Sequence, residues 1–126
     1  MRIFKNAWFS RFAGKEGITD NELREMVNRL EAGQAANRRF VVNLGGGVYK
    51  VRVARSGKGK SGGYRVIVFF RSEERTLFVY GFAKSDRDNI DKRELKVFKE
   101  RAKIAFSSTD EQIRDRLRTR DLIEVL

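Results

Sequence analysis

The chain has 126 residues, of which 28 are Lys or Arg and 17 are Asp or Glu, and its formal net charge is +11. It contains no Cys and no His, which excludes thiolate nucleophiles, thiolate-bound zinc, imidazole bases and Ser-His-Asp triads. Because 40% of the residues are hydrophobic, this length allows one domain with a packed core. No apolar run approaches the length of a membrane span and residues 1–10 lack a signal-peptide core, so we expect a cytoplasmic protein.

The first third of the chain predicts a short strand and two helices. Ile3 and Phe4 favour an N-terminal strand, and three aromatic residues within residues 6–14 favour a short helix. Thr19 and Glu22 match the capping box that begins a helix. Apolar residues then follow at helical spacing, which predicts a helix ending near residue 33: they are Leu23, Met26, Val27 and Leu30.

The middle of the chain predicts three strands. Residues 48–53 alternate, so that Lys50 and Arg52 point to one side and the intervening apolar residues to the other. Residues 64–71 and 76–82 are β-rich runs joined by a turn, and the Gly- and Lys-rich residues 56–63 form a loop before them. Consecutive strands joined by loops favour an antiparallel meander.

The last third of the chain is helical again. Asp91 with Glu94 and Thr109 with Gln112 form two further capping signals, each followed by apolar residues at helical spacing. The expected fold class is therefore α+β, a small antiparallel sheet made of the three-strand meander plus the N-terminal strand. We expect the helices to pack on one face of this sheet and the other face to be free for a ligand.

The positive charge is concentrated in one block. Residues 38–71 contain nine basic residues and no acidic ones, whereas the other 92 residues carry 19 basic and 17 acidic side chains. Such a block, interleaved with Gly, Tyr, Val and Phe, predicts a site that holds a polyanion. The nine are Arg38, Arg39, Lys50, Arg52, Arg55, Lys58, Lys60, Arg65 and Arg71.

A nucleotide-hydrolysing site is the less favoured interpretation of this block. Gly59, Lys60 and Ser61 match the end of a phosphate-binding loop, but the first Gly of that motif would be Ala54. The motif must also open a helix, whereas a β-rich run follows here. A mobile basic loop, or a loop that grips an RNA backbone, is the better interpretation.

The basic residues of the strands suggest a more specific site. Lys50 and Arg52 share one side of a strand about 7 Å apart, and Arg65 can approach them across the sheet. Three fixed cations can bind a phosphate and stabilise a pentavalent phosphorane. The alternative is the solvated side of an amphipathic strand, although solvated sides usually mix charges of both signs.

Three stretches carry a family signal. They are LGGGVYKVRVAR at residues 44–55, GKGKSGGYR at residues 57–65 and YGFAKSDRDNI at residues 80–90. Together they resemble the RelE/ParE superfamily of type II toxins, most closely its RelE and HigB-like branch. The resemblance covers residues 1–106 as a RelE-like toxin domain, with residues 107–126 as a C-terminal helical extension of the same domain.

The resemblance implies a function. It implies a toxin paired with a cognate antitoxin, which we expect to carry a helix-turn-helix domain. It further implies an endoribonuclease that enters the ribosomal A site and cleaves mRNA without a metal or other cofactor. In this reaction the 2′-hydroxyl attacks the adjacent phosphate and leaves a 2′,3′-cyclic phosphate.

The resemblance also implies roles for individual residues. Arg65 is expected to hold the phosphate, and Lys50 is the better general base because neighbouring cations depress the pKa of a lysine. Arg52 is expected to act electrostatically, and Lys84 completes the catalytic set. The RNA-binding set is Arg55, Lys58, Lys60 and Arg87.

The chain departs from the family pattern in one respect. The stacking Tyr that follows the last strand in RelE is Ile90 or Asp91 here, and there is no C-terminal His as in HigB members. Tyr64, Tyr80 and Phe82 are alternative stacking residues. Two other functions therefore stay open: a ParE-like, non-nuclease inhibitor of DNA gyrase, and a basic RNA-binding module without activity.

Overall fold

The computed structural model describes residues 1–33, 40–54 and 63–126, which form a six-stranded sheet with four helices. This confirms the α+β class. The elements in chain order are β1 (Arg2–Asn6), α1 (Ala7–Glu16), α2 (Asp20–Glu31), β2 (Val41–Gly45), β3 (Val48–Val53), β4 (Tyr64–Arg71), β5 (Arg75–Ala83), α3 (Lys92–Ser107), α4 (Asp110–Arg118) and β6 (Leu122–Val125).

The sheet is larger than the expected meander. Its strand order is β2-β3-β4-β5-β1-β6, in which β2 to β5 are antiparallel neighbours, β1 runs parallel to β5, and β6 runs antiparallel to β1. The meander of β3, β4 and β5 and the N-terminal strand are confirmed. The two additional strands, β2 and β6, are short and lie at the two edges.

The helices pack on both faces of the sheet and not on one. Helices α1 and α2 cover one face, where Phe9 and Leu23 join Val66 and Val68 in a buried cluster. Helix α3 lies on the opposite face, which is called the α3 face below. There Val48, Ile67 and Phe69 pack with Ala102 and Ala105. The physical reason is that β4 is apolar on both sides from Val66 to Phe70, so that both of its sides require cover.

The helix starts follow the capping signals. Asp91 with Glu94 and Thr109 with Gln112 form complete capping boxes at the starts of α3 and α4. The hydroxyl of Thr19 accepts a hydrogen bond from the Glu22 backbone N–H at the start of α2. Each cap satisfies backbone donors that the helix itself leaves unpaired, and so fixes where the helix begins.

A glycine turn joins β2 to β3 and supports α3. Gly46 and Gly47 have φ angles of +64° and +82°, a left-handed conformation that favours glycine. A Cβ at Gly47 would lie 2.5 Å from a ring carbon of Phe106. The turn therefore provides the surface on which the C-terminal end of α3 rests.

Residues 107–126 complete the other edge of the sheet. They include the expected helix, α4, and then a strand, β6, that sequence patterns did not indicate. The Arg2 guanidinium donates two hydrogen bonds of 2.9 Å to the Glu124 carboxylate, which ties β6 to β1. Within the described part of the chain, no helix has the length and apolar character needed to cross a membrane.

Candidate nucleic-acid interface

Two adjacent strands bring three of the expected catalytic residues together. Arg52 on β3 and Arg65 on β4 are direct cross-strand partners, and Lys50 lies two residues before Arg52 on the same side of β3. This side belongs to the α3 face, because the alternate residue Val51 packs into the cluster beneath α1 and α2. Like charges directly opposite each other destabilise a sheet, so stability alone does not account for the arrangement.

The side chain of Lys50 is half-buried and oriented. Its Nζ donates a hydrogen bond of 3.0 Å to Oδ1 of Asn89, which lies between β5 and α3. Burial lowers the pKa of Lys50 below its ordinary value, and the charges of Arg65 and Lys84 lower it further. A lysine in this setting gives up its proton more readily than a solvated one, which is the property that a general base needs.

Of the two arginines Arg52 and Arg65, Arg65 is the more buried. Burial, followed by the charge of Arg52, lowers the pKa of Arg65 from its ordinary value. A guanidinium nevertheless stays protonated in proteins, so Arg65 keeps its positive charge beside Arg52. Together they present planar, fixed donors suited to the oxygens of one phosphate.

Lys84 adjoins these cations from the segment after β5. Its backbone N–H donates to the Gly63 carbonyl at 3.0 Å, which fixes this segment beside the start of β4. Its Nζ lies 3.0 Å from Oδ1 of the exposed Asp88. Lys50, Arg52, Arg65 and Lys84, called the cation cluster below, therefore lie near one another.

Arg87 makes several hydrogen bonds within the protein. Its guanidinium donates to both carboxylate oxygens of Glu94, at 2.6 and 3.1 Å, and to the Asn89 carbonyl, at 2.8 and 3.1 Å. The Tyr80 hydroxyl accepts a further bond of 3.2 Å. These contacts raise the pKa of Arg87 and lower that of Glu94. Arg87 thus holds in place the residue, Asn89, that orients Lys50.

A small hollow lies over the cation cluster. It has a volume of about 150 Å³ and is lined by Phe40, Val42, Lys50, Arg52 and Arg65, with no carboxylate among them. Sequence reasoning missed Phe40, Val42 and Asn89 as site residues. A larger cavity of about 510 Å³ lies between α3, α4 and β6, but no member of the cation cluster lines it.

The three aromatic residues considered for stacking do not lie open beside the cations. Tyr64 is 4% exposed and its hydroxyl donates to a Glu16 carboxylate oxygen at 2.7 Å, on the face opposite Arg65. Phe82 is 5% exposed. Tyr80 packs between Trp8 and Phe98, with ring centroids 4.6 and 5.7 Å away.

Part of the expected interface lies outside the described residues. This applies to Arg55, Lys58 and Lys60 of the RNA-binding set, to the glycine-lysine-serine sequence at residues 59–61, and to Arg38 and Arg39. The element that follows the loop is strand β4, not the helix that a phosphate-binding loop must open.

The model of the family described as "RelE toxin of RelE / RelB toxin-antitoxin system" matches residues 1–125, which span every helix and strand of the fold. No solved structure matches the chain.

Proposed function

The chain belongs to the RelE toxin family, and from that premise we propose that it is an endoribonuclease that cleaves mRNA on the ribosome. The observation that carries the proposal is the cation cluster. Three basic side chains from β3 and β4 line a hollow that no carboxylate lines, and Lys84, from the segment after β5, lies near Lys50. Cations fixed in this way favour a scissile phosphate and the additional negative charge of its transition state.

The proposed reaction starts at Lys50. In its neutral form Lys50 takes the proton of the 2′-hydroxyl, and the 2′-oxygen attacks the adjacent phosphorus. The bond from phosphorus to the 5′-oxygen breaks and that oxygen takes a proton from water, which leaves a 2′,3′-cyclic phosphate on one fragment and a 5′-hydroxyl on the other. Asn89 sets the direction of the Lys50 amine, since its Oδ1 accepts a hydrogen bond from Nζ.

The arginines and Lys84 supply charge. Arg65 and Arg52 hold the non-bridging oxygens, on which negative charge builds up as the phosphorane forms. Lys84 adds a positive charge near Lys50, which lowers the pKa of Lys50 in addition to burial and Arg65. All of these groups belong to the protein, so the proposed cleavage uses no metal ion.

Membership of the family implies a cognate antitoxin. We expect its inhibitory segment to be acidic, because the surface that it must block carries four cations. We also expect the antitoxin to contain a helix-turn-helix DNA-binding domain, and the protein to act in the cytoplasm.

The experiment is ribosome-dependent cleavage of a defined mRNA. Purified protein should cut the mRNA in the A site of programmed ribosomes and leave a 2′,3′-cyclic phosphate, and a single 2′-deoxynucleotide at the cleaved position should block the cut. Arg65→Ala should lower the single-turnover rate about 10²- to 10³-fold, because it removes a donor to the developing charge. Arg11→Ala is the matched control, since Arg11 is exposed on α1 beneath the opposite face of the sheet.

Two results would contradict the proposal. One is intact mRNA on ribosomes together with growth arrest and DNA damage in cells, which would indicate a gyrase inhibitor. The other is RNA binding without cleavage under every condition, which would indicate a binding module. A folded Arg65→Ala protein with full activity would refute the assigned site.

A further inference from the structure

The hollow over the cation cluster has an apolar wall. Phe40 is 44% exposed and Val42 is 38% exposed, whereas Val41 between them is 6% exposed. Phe40 is the residue immediately before β2, and Val41, the first residue of that strand, enters the core beneath α2. Phe40 and Val42 line the hollow together with the cations, and Phe40 also borders a cavity of about 370 Å³ beside α2.

Strand pairing fixes these two side chains next to the cations. Val42 is the cross-strand partner of Lys50, and the Arg52 backbone N–H donates to the Phe40 carbonyl at 2.7 Å. Side chains on directly opposed residues of neighbouring strands have Cβ atoms about 4.5–5.5 Å apart. Phe40 is thus the immediate neighbour of Arg52 on one side, as Arg65 is on the other.

The exposed ring of Phe40 differs from the other exposed ring, that of Trp8, in its contacts. Among the described residues the exposed aromatic side chains are Trp8 and Phe40. Trp8 stacks on Phe12 and makes a tilted ring contact with Tyr80, with centroids 5.4 and 4.6 Å away. No aromatic ring of the described residues packs against Phe40, and its 44% exposure leaves part of the side chain accessible to a ligand.

A nucleotide presents the same combination of groups that the hollow offers. Its phosphate requires cations and its base presents a flat π-face that stacks on aromatic side chains. We propose that Phe40 is the platform on which the nucleobase next to the scissile phosphate stacks, with Val42 against the edge of that base. This inference rests on the proposed function and deepens it, because it names the residue that positions the base.

The proposed stacking would have two consequences. It would hold the nucleotide so that its 2′-oxygen lies beside Lys50, since base and phosphate would be fixed at the same time. It would also be tolerant of sequence, with purines preferred over pyrimidines because their larger rings stack more strongly.

The test uses ribosomes programmed with a short mRNA that cannot be cleaved. The mRNA carries one 2′-deoxynucleotide at the cleavage position and the fluorescent base 2-aminopurine beside it, whose emission falls when it stacks. Wild-type protein and Phe40→Tyr should quench this emission. Phe40→Leu, which keeps an apolar side chain of similar size, and Phe40→Ala should not quench it and should bind about 10- to 100-fold more weakly.

Two further variants make the result specific. Ile104→Ala is the matched control, since Ile104 is an apolar residue of α3, 56% exposed, that does not line the hollow. It should quench as the wild type does. Arg65→Ala should weaken binding but still quench at saturation, because it leaves the ring in place.

The outcomes separate the two proposals. If wild-type protein binds, Arg65→Ala binds more weakly and Phe40→Leu quenches normally, then the stacking inference is wrong and the nuclease proposal stands. The same conclusion follows if Phe40→Leu impairs only antitoxin binding, because the ring then serves a protein contact. If the wild-type protein does not bind programmed ribosomes at all, both proposals fail.

Discussion

The α3 face of the sheet consists of two halves that differ in chemistry although they share the same strands. In the covered half, Val48, Ile67 and Phe69 are buried beneath α3. In the open half, Lys50, Arg52 and Arg65 occupy the neighbouring positions of the same side of β3 and β4. The change takes place within two residues along each strand.

The comparison shows that shielding from water by α3, and not strand geometry, decides whether a position on this face holds an apolar or a charged side chain. Burying an unpaired charge beneath α3 would cost several kcal/mol, whereas an apolar residue there stabilises the fold. In the open half the opposite holds, because adjacent cations gain nothing for stability but create an anion site. The covered half should therefore control stability, and the open half should control activity.

The largest effect is expected in the open half, at Lys50. Lys50→Met should lower the single-turnover cleavage rate by about 10²- to 10⁴-fold, the usual contribution of a general base. Lys50→Arg should not restore the rate, because a guanidinium stays protonated. Neither variant should lower the free energy of unfolding measured with urea, and Lys15→Met on α1 is the control for the lost charge.

The pH dependence of cleavage gives a second test of the role of Lys50. The pKa of Lys50 is lowered, first by burial and then by Arg65 and Lys84, so the neutral form becomes abundant below the pH at which an ordinary lysine titrates. Wild-type cleavage should rise with pH up to the lowered pKa and then level off. The folded chain also loses this proton before the unfolded chain does, so stability should rise with pH between the two pKa values. An identical pH profile for Lys50→Met would remove Lys50 from the mechanism.

The second effect is expected in the covered half, at Phe69. This side chain is fully buried, and its ring lies edge-on to Phe98 of α3 with centroids 6.4 Å apart. Phe69→Ala should lower the free energy of unfolding by about 3–5 kcal/mol, from lost burial and the cavity left behind. Cleavage per folded molecule should stay near the wild-type value at low temperature. A large fall in that specific activity would show that the two halves are not separable.

The smallest effect is expected at the border between the halves, at Glu94. Glu94→Gln removes the charge that pairs with Arg87. Because Arg87 holds Asn89, and Asn89 accepts a hydrogen bond from Lys50, the amine of Lys50 should be less well oriented. We expect a roughly 10-fold slower cleavage, about 1.4 kcal/mol, with a changed pH profile. Gln112→Ala is the control, because it removes the equivalent residue from the capping box of α4. A slower rate with an unchanged pH profile would mean that Glu94 acts only as a cap.

Local patterns account for the elements that sequence reasoning found. The strands β3 to β5 alternate or are strongly β-forming, and α2, α3 and α4 begin at residues whose side chains cap them. Strand β2 does not alternate between buried and exposed positions, and β6 has only four residues, so neither shows a strand period. Their pairing depends on partners that no local pattern identifies.

The same distinction applies to the candidate site, where only residues on strands with a local pattern could be placed from the sequence. Lys50, Arg52 and Arg65 could be placed on one side of the sheet because their strands were found. Phe40 could not, since without β2 nothing indicates which way its ring points. Arg87 was expected to bind RNA, and that remains a prediction. Its contact with Glu94 could not be foreseen, because it spans the irregular segment between β5 and α3.

The position of β1 has a consequence for how the protein is made. This N-terminal strand lies between β5 and β6, which come from residues 75–83 and 122–125. On the ribosome, β1 is synthesised first but has no neighbour until β5 has emerged, and no second neighbour until residue 125 has emerged. Folding must therefore finish after translation has passed these residues, and the long loops that it closes favour slow folding. A nascent chain of this protein thus carries its cations before it has the complete sheet that arranges them.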